Sequence, residues 1–231
     1  MADGIKKHIA QPPEAATVRQ AYPSMSAIVV GLSLYLRLPV ACRHMRYVLL
    51  ILVGFVCAIS TTRAAETVPL AELAKPGRVL MLRHATAPGT GDPSNFSLDD
   101  CATQRNLDQA GRAQALALGQ RLAQAGVRQA RVYSSQWCRC LDTARLLNLG
   151  PVEPLPALNS FYARSEQRET ALAALRAFLA RLPTTGAPVV LVTHQLTINA
   201  FTGEGTGSGG GSLFELNGSG EPRLLGSIKP D

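Results

Sequence analysis

The sequence predicts an α/β domain with a mostly parallel central sheet in residues 65–231. Short β-like runs alternate with helical patterns along this segment, as in proteins built from βα units. Two of these runs, residues 78–82 and 187–194, are almost continuously apolar, as expected of buried strands. The chain of 231 residues is long enough for one well-packed core, and its length favours one folded domain over two.

The elements follow from local patterns in chain order. Four strands are predicted, at residues 78–82, 130–135, 151–158 and 187–194. Three helices are predicted, at residues 108–126, 136–148 and 166–183, and the last of them has the clearest amphipathic pattern before Pro183 stops it. Residues 86–105 and 202–212 are loops by composition, and residues 212–230 form a hairpin that turns at Asn217–Gly220.

The segment before this domain has the layout of a targeting sequence. Arg46 supplies a positive charge, residues 47–59 form an apolar run of 13 residues, and small residues precede a cleavage position before Ala65. Residues 45–64 are therefore predicted to be a signal peptide for export to the periplasm or the medium. An uncleaved membrane anchor is the alternative, although 13 residues are short for a membrane span. Residues 1–44 are expected to be an over-called or disordered extension.

The charge distribution argues against nucleic-acid binding by the domain. The chain has a formal net charge of +7, but residues 1–64 hold seven basic and two acidic residues, which leaves +5 there. The remaining 16 basic and 14 acidic residues give only +2, without a basic stripe. We expect no nucleic-acid partner, and a membrane contact only through an uncleaved N-terminal segment.

Two histidines of the domain stand at the ends of predicted buried strands. His84 follows "VLMLR" and His194 follows "VVLVT". Ligands of open α/β sheets bind beyond the carboxyl ends of the strands, so we expect these side chains to converge there. Arg83 lies beside the first histidine, and Arg139 lies in the first turn of the helix that follows the strand at residues 130–135. Guanidinium groups suit phosphate oxygens, which points to an anion site.

Three motifs in this order resemble the histidine phosphatase superfamily, whose members include phosphoglycerate mutases and acid phosphatases. They are "LRHA" at residues 82–85, "YSSQWCRCLDTA" at residues 133–144 and "VTH" at residues 192–194. In place of the usual Arg-His-Gly, this chain has Ala85 in the third position. The resemblance implies a phosphoglycerate mutase-like fold, a three-layer α/β/α sandwich.

The resemblance also implies a reaction. His84 is expected to attack a small phosphorylated substrate, a phosphomonoester or a phosphohistidine, and to form phosphohistidine on its own ring, while Arg83, Arg139 and His194 hold the phosphoryl oxygens. A neutral imidazole nitrogen is a competent nucleophile near neutral pH. No metal or cofactor is required. A phosphate-binding or sugar-phosphate-binding module without efficient turnover is the alternative function.

The general acid is where the resemblance fails. Many relatives carry a glutamate where this chain has Ser160, and others carry an aspartate where it has Gln195. Glu166 and Asp92 are the first candidates to replace them. Further candidates are Glu169, Asp99 and Glu204. Without an acid, esters of alcohols that are poor leaving groups should react slowest.

Three cysteines remain after residue 64, and an oxidising compartment would allow one pair to bridge. Cys138 and Cys140 flank Arg139 within one helical turn, so they are not expected to pair with each other. A bridge from Cys101 to Cys138 is favoured, because related proteins often carry a small buried residue just after that arginine. The alternative hypotheses are three free thiols, a Cys/His zinc site and a thiol-redox function.

Overall fold

The computed structural model describes residues 66–230, and within them the fold is built on one sheet of six strands. The strands are β1 (Arg78–Arg83), β2 (Arg131–Ser134), β3 (Val152–Pro154), β4 (Val189–Thr193), β5 (Gly211–Glu215) and β6 (Arg223–Ile228). Their order across the sheet is β3-β2-β4-β1-β5-β6. Strands β1 to β4 run parallel to one another, and β5 and β6 add an antiparallel edge beside β1.

Within the described part of the chain, four α-helices pack on this sheet. They are α1 (Gln109–Gln124), α2 (Cys138–Leu146), α3 (Arg168–Ala180) and α4 (Gln195–Thr202). The side chain of Asp108 caps α1 by accepting a hydrogen bond from the amide of Gly111 at 2.7 Å. Gly203, with a φ of 79°, ends α4 in the left-handed conformation that glycine adopts readily.

Alternate residues of β1 divide the core into two layers. Leu80 and Leu82 belong to a cluster with α1 and α2, whereas Val79 and Met81 belong to a second cluster with α3 and α4. Since successive side chains of a strand point to opposite faces, the helices must cover both faces of the sheet. The predicted three-layer sandwich with a mostly parallel sheet is confirmed.

Most predicted elements occur within a few residues of their expected bounds, with two differences. Residues 151–158 form a strand of three residues, Val152–Pro154, followed by a 3-10 helix, Pro156–Leu158, because proline lacks the amide that a longer ladder needs. Helix α4 was not predicted, since the short segment "QLTINAFT" follows directly on an apolar strand and has no clear start signal.

The expectations for residues 1–44 and 45–64 lie outside the described residues. Within residues 66–230, no helix combines the length and apolar character needed to cross a membrane.

Candidate active site

His84 is fixed where β1 ends. Its backbone amide donates to the carbonyl of Thr193 at 3.0 Å, which ties the ends of β1 and β4 together. Its ring Nδ1 lies 2.7 Å from the carbonyl oxygen of Ala85. A carbonyl can only accept, so Nδ1 carries the proton and Nε2 of the neutral ring keeps its lone pair.

The environment of His84 keeps this ring uncharged. The side chain is 2% exposed, and burial lowers its pKa to about 3. The hydrogen bond to Ala85 opposes this shift, while the positive charges of Arg139, Arg105 and Arg83 add to it. At neutral pH the imidazole is therefore in the form that a nucleophile requires.

His194 lies beside it, at the junction of β4 and α4. The two imidazole centroids are 5.6 Å apart. Nε2 of His194 is 2.9 Å from Oγ of Ser135, the residue that follows β2, and 3.5 Å from the thiol of Cys140. Burial lowers the pKa of His194 as well, and the charge of Arg139 lowers it further. Both histidines therefore lie side by side at the carboxyl edge of the sheet, as expected from the sequence.

Three arginines surround the histidines. Arg83 and Arg139, both predicted from the sequence, line the same cavity as His84, and the structure adds Arg105 to them. The Nε atoms of Arg83 and Arg139 are buried and have no hydrogen-bond partner among the described residues. Buried donors of this kind are normally satisfied, so the two free N–H groups indicate an anion site.

Arg105 reaches the site through the loop between β1 and α1. Its Nε donates to the carbonyl of Gly91 at 2.8 Å, and its NH1 donates to the carbonyl of Ala87. The side chain of Gln104 anchors the same loop by accepting a hydrogen bond from the amide of Cys138 at 2.9 Å. Sequence reasoning missed Arg105 because nothing in a polar loop shows which of its side chains turns inward.

Asp92, a predicted candidate acid, is paired with Arg139. Its carboxylate accepts from NH1 of Arg139 at 2.7 Å, from Nε1 of Trp137 at 3.0 Å and from the amide of Arg105 at 3.1 Å. Burial acts to raise the pKa of this carboxyl, but the hydrogen bonds from Arg139 and Trp137 outweigh it and lower the pKa. Asp92 is therefore ionised at neutral pH and has no proton to give.

The other candidate acids are not at the cavity. Glu166 lies in an exposed 3-10 helix, Ser165–Gln167, and Glu169 is exposed and paired with Arg168. Asp99 is exposed, and Glu204 is half-buried but does not line the cavity. Among the described residues that line the cavity, Asp92 is the only carboxylate.

Cys101 and Cys138, the pair favoured from the sequence, form a disulfide with a Cα–Cα distance of 5.7 Å. The bridge ties the loop that carries Asp92 and Arg105 to the first turn of α2. Cys140 is a free buried thiol, and burial raises its pKa to about 12, so it is not a thiolate near neutral pH.

The resulting cavity has a volume of about 510 Å³. Its buried part holds His84, His194 and Arg139, which are 2–4% exposed. Its mouth holds Tyr162 and Leu196, which are 65% and 37% exposed. Among residues 66–230, no cluster of three or more His, Cys, Asp or Glu side chains is arranged to hold a metal ion.

Comparison with known proteins relates part of this domain to one protein family. The model of the histidine phosphatase superfamily (branch 1) matches residues 79–170, the segment that contains His84, Arg105 and Arg139. This segment is therefore similar in sequence to the histidine phosphatase superfamily. Comparison with curated proteins gives no match.

Several solved structures are similar to this chain, and the first one named below has this fold. The structure of mycobacterial hydrolase 1 is 19% identical, with a TM-score of 0.50 over 68% of this chain and 99% of that chain. The protein histidine phosphatase SixA in complex with tungstate is 18% identical, with a TM-score of 0.47 over 66% and 97% of the two chains. A mycobacterial glucosyl-3-phosphoglycerate phosphatase is 22% identical, with a TM-score of 0.48 over 68% and 99%.

Proposed function

We propose that the domain is a phosphatase that hydrolyses small phosphomonoesters through phosphohistidine on His84. The observation that carries this proposal is the fixed tautomer of His84. Its Nδ1–H is held by the carbonyl of Ala85 at 2.7 Å, so the nucleophilic lone pair is on Nε2. The superfamily match over residues 79–170 supports the same class of reaction.

In the first step, Nε2 of His84 forms a bond to phosphorus while the bond from phosphorus to the ester oxygen breaks. The electron pair of that bond leaves on the alcohol oxygen, which takes a proton from water. The ring gains positive charge as the bond forms, and the carbonyl of Ala85 stabilises it through the Nδ1–H bond.

In the second step, a water oxygen attacks phosphorus and the bond from phosphorus to Nε2 breaks. The electron pair returns to the ring, which restores neutral His84. One proton of the water stays on the released phosphate, and the other goes to solvent. Both steps pass through a phosphoryl group whose charge lies mainly on its equatorial oxygens.

Arg83, Arg105 and Arg139 supply the charge that such a group needs. Three guanidinium groups and one carboxylate, Asp92, leave the cavity with two net positive charges, which match a phosphate dianion. The free Nε–H groups of Arg83 and Arg139 are donors that need no rearrangement to bind an oxygen. Neutral His194 adds a ring next to the nucleophile.

The test is turnover of p-nitrophenyl phosphate by the purified full chain. His84→Ala should lower kcat roughly 10³-fold or more, and should abolish labelling by radioactive substrate in an acid-labile, alkali-stable form. Leu116→Ser, an exposed substitution on α1, is the control and should keep both. Near-normal turnover by His84→Ala would refute the assignment.

A second candidate, a phosphate-binding module with little turnover, is favoured by the ion pair of Asp92. That pair occupies the only carboxylate among the described residues of the cavity, so no side chain there protonates the leaving alcohol. A module of this kind would be protected by phosphate against thermal unfolding, without releasing p-nitrophenol. Vanadate-sensitive release of p-nitrophenol favours the phosphatase.

We also propose that the domain works after export, in an oxidising compartment. The Cys101–Cys138 disulfide supports this location, because such bridges persist mainly in secreted and periplasmic proteins. The predicted signal peptide at residues 45–64 leads to the same place. Sequencing the amino terminus of the secreted protein tests the proposal: a start at Ala65 agrees with it, and recovery of the chain only in the cytosol contradicts it.

A further inference from the structure

The mouth of the cavity differs in chemistry from its buried part. The charge of the cavity is carried by the side chains around His84, which are Arg83, Arg105, Arg139 and Asp92, whereas the side chains at the mouth are uncharged. They come from two segments, the loop before α3 and the helix α4, and are Ser160, Tyr162, Gln195, Leu196 and Asn199. A phosphoryl group fills only a small share of about 510 Å³, so the mouth is where the alcohol part of an ester must lie.

Two side chains of the mouth are exposed although they are apolar. Tyr162 and Leu196 are 65% and 37% exposed. Among residues 66–230, the other large hydrophobic side chains at comparable exposure are Leu116 on α1 and Leu224 on β6, which do not line the cavity. Single exposed hydrophobic residues are common. Two of them line one anion cavity, where they offer apolar area to a bound ring.

The lack of an available acid restricts the leaving group in the same direction. Asp92 is bound to Arg139, and the other described lining residues have no carboxyl group. An alcohol that leaves without a donated proton must itself be acidic. A phenol has a pKa of about 10, so its phenolate leaves more readily than the alkoxide of an aliphatic alcohol.

From these two independent observations, we infer that Tyr162 and Leu196 form a leaving-group subsite for aryl phosphomonoesters. This inference rests on the proposed function and adds the substrate class to it. The phosphoryl group binds the arginines beside His84, the ring packs against Tyr162 and Leu196, and the phenolate oxygen departs toward the open mouth. The side-chain amides of Gln195 and Asn199 are uncharged, so a neutral ring that binds beside them does not remove water from a charged group.

Binding of non-hydrolysable phosphonates to the full chain, measured by calorimetry, separates ring recognition from chemistry. Phenylphosphonate should bind about tenfold more tightly than methylphosphonate, the gain expected when one face of a ring leaves water. Tyr162→Ser and Leu196→Ser should each reduce that ratio at least about threefold, with inorganic phosphate binding unchanged. Leu224→Ser is the matched control, since Leu224 is 38% exposed and Leu196 is 37% exposed.

Several outcomes overturn the inference. They are equal binding of phenylphosphonate and methylphosphonate, binding of 2-hydroxyethylphosphonate as tight as that of phenylphosphonate, and an unchanged ratio in both variants. Tight binding of 2-hydroxyethylphosphonate would indicate that the leaving group is a polar alcohol, such as a sugar, instead. Because the readout is binding, it is independent of turnover: loss of the proposed function appears as an active His84→Ala variant, while the phosphonate ratio reports only on the mouth.

Discussion

Acid stability provides a direct measurement of the state of His84. Folding buries this ring in neutral form and lowers its pKa from 6.5 to about 3. Between these two values, the unfolded chain binds a proton on His84 that the folded protein does not. Protonation therefore favours the unfolded state, and the free energy of unfolding must fall as the pH falls below 6.5.

The size of this effect at pH 4.5 follows from the same two values. That pH is about two units below the pKa of the unfolded ring and still above the folded one, so at about 1.36 kcal/mol per unit, His84 alone costs about 3 kcal/mol. His84→Asn keeps a polar side chain but removes the titration. The loss of stability between pH 7.5 and about pH 4.5 should then be smaller than in the unsubstituted protein by about 3 kcal/mol.

The assay is urea unfolding of both proteins at the two pH values, without phosphate. Carboxylates and His194 titrate in both proteins, so their contributions cancel in the comparison. Ser160→Ala is the control, because Ser160 lines the cavity without a titrating group, and it should show the full loss. An equal loss of stability in His84→Asn and the unsubstituted protein would refute the account of a buried neutral His84.

Two further predictions concern the loop between β1 and α1. Asp92→Asn should lower the free energy of unfolding by about 2 kcal/mol at pH 7, less than for a fully buried pair because Asp92 is 17% exposed and Arg139 4%. Since folding lowers the pKa of Asp92, the stabilisation by its carboxylate is present above the unfolded pKa and disappears as the pH falls below about 4. If urea unfolding shows that Asp92→Asn lowers the free energy of unfolding equally at pH 3 and pH 7, the ion pair is contradicted. In the double variant Cys101→Ser, Cys138→Ser, the free energy of unfolding should fall by about 3–4 kcal/mol, because the unfolded chain is no longer closed into a loop over 37 residues. The variant should also bind phosphate more weakly in calorimetry. An unchanged free energy of unfolding together with unchanged phosphate binding would show that the bridge is dispensable.

The sequence predicted the parts of the site that depend on regular structure. His84 and His194 each follow a buried apolar strand, and parallel strands end at one edge, so their convergence required no knowledge of the loops. Arg139 could be placed for the same reason, because it is in the first turn of the helix after β2.

The parts that depend on loop conformation could not be predicted. Arg105 reaches the cavity only because the carbonyls of Gly91 and Ala87 accept from its guanidinium group. These contacts join residues 14 and 18 positions apart, so no local pattern encodes them. Helix α4 was missed for a related reason: its core residue Ile198 is completely buried by tertiary packing, which overrides its modest helix propensity.

Asp92 links these observations to function. From sequence, a carboxylate in the loop between β1 and α1 is a candidate proton donor, but in the structure this carboxylate binds the guanidinium group of Arg139 and the amide of Arg105. A protonated Asp92 would weaken those contacts and with them the position of two arginines of the proposed phosphate site. The same carboxylate cannot build the anion site and also donate a proton to the leaving alcohol. Under the proposed function, the selectivity must therefore come from the alcohol itself, and the uncharged mouth around Tyr162 is the part of the cavity that we propose contacts it.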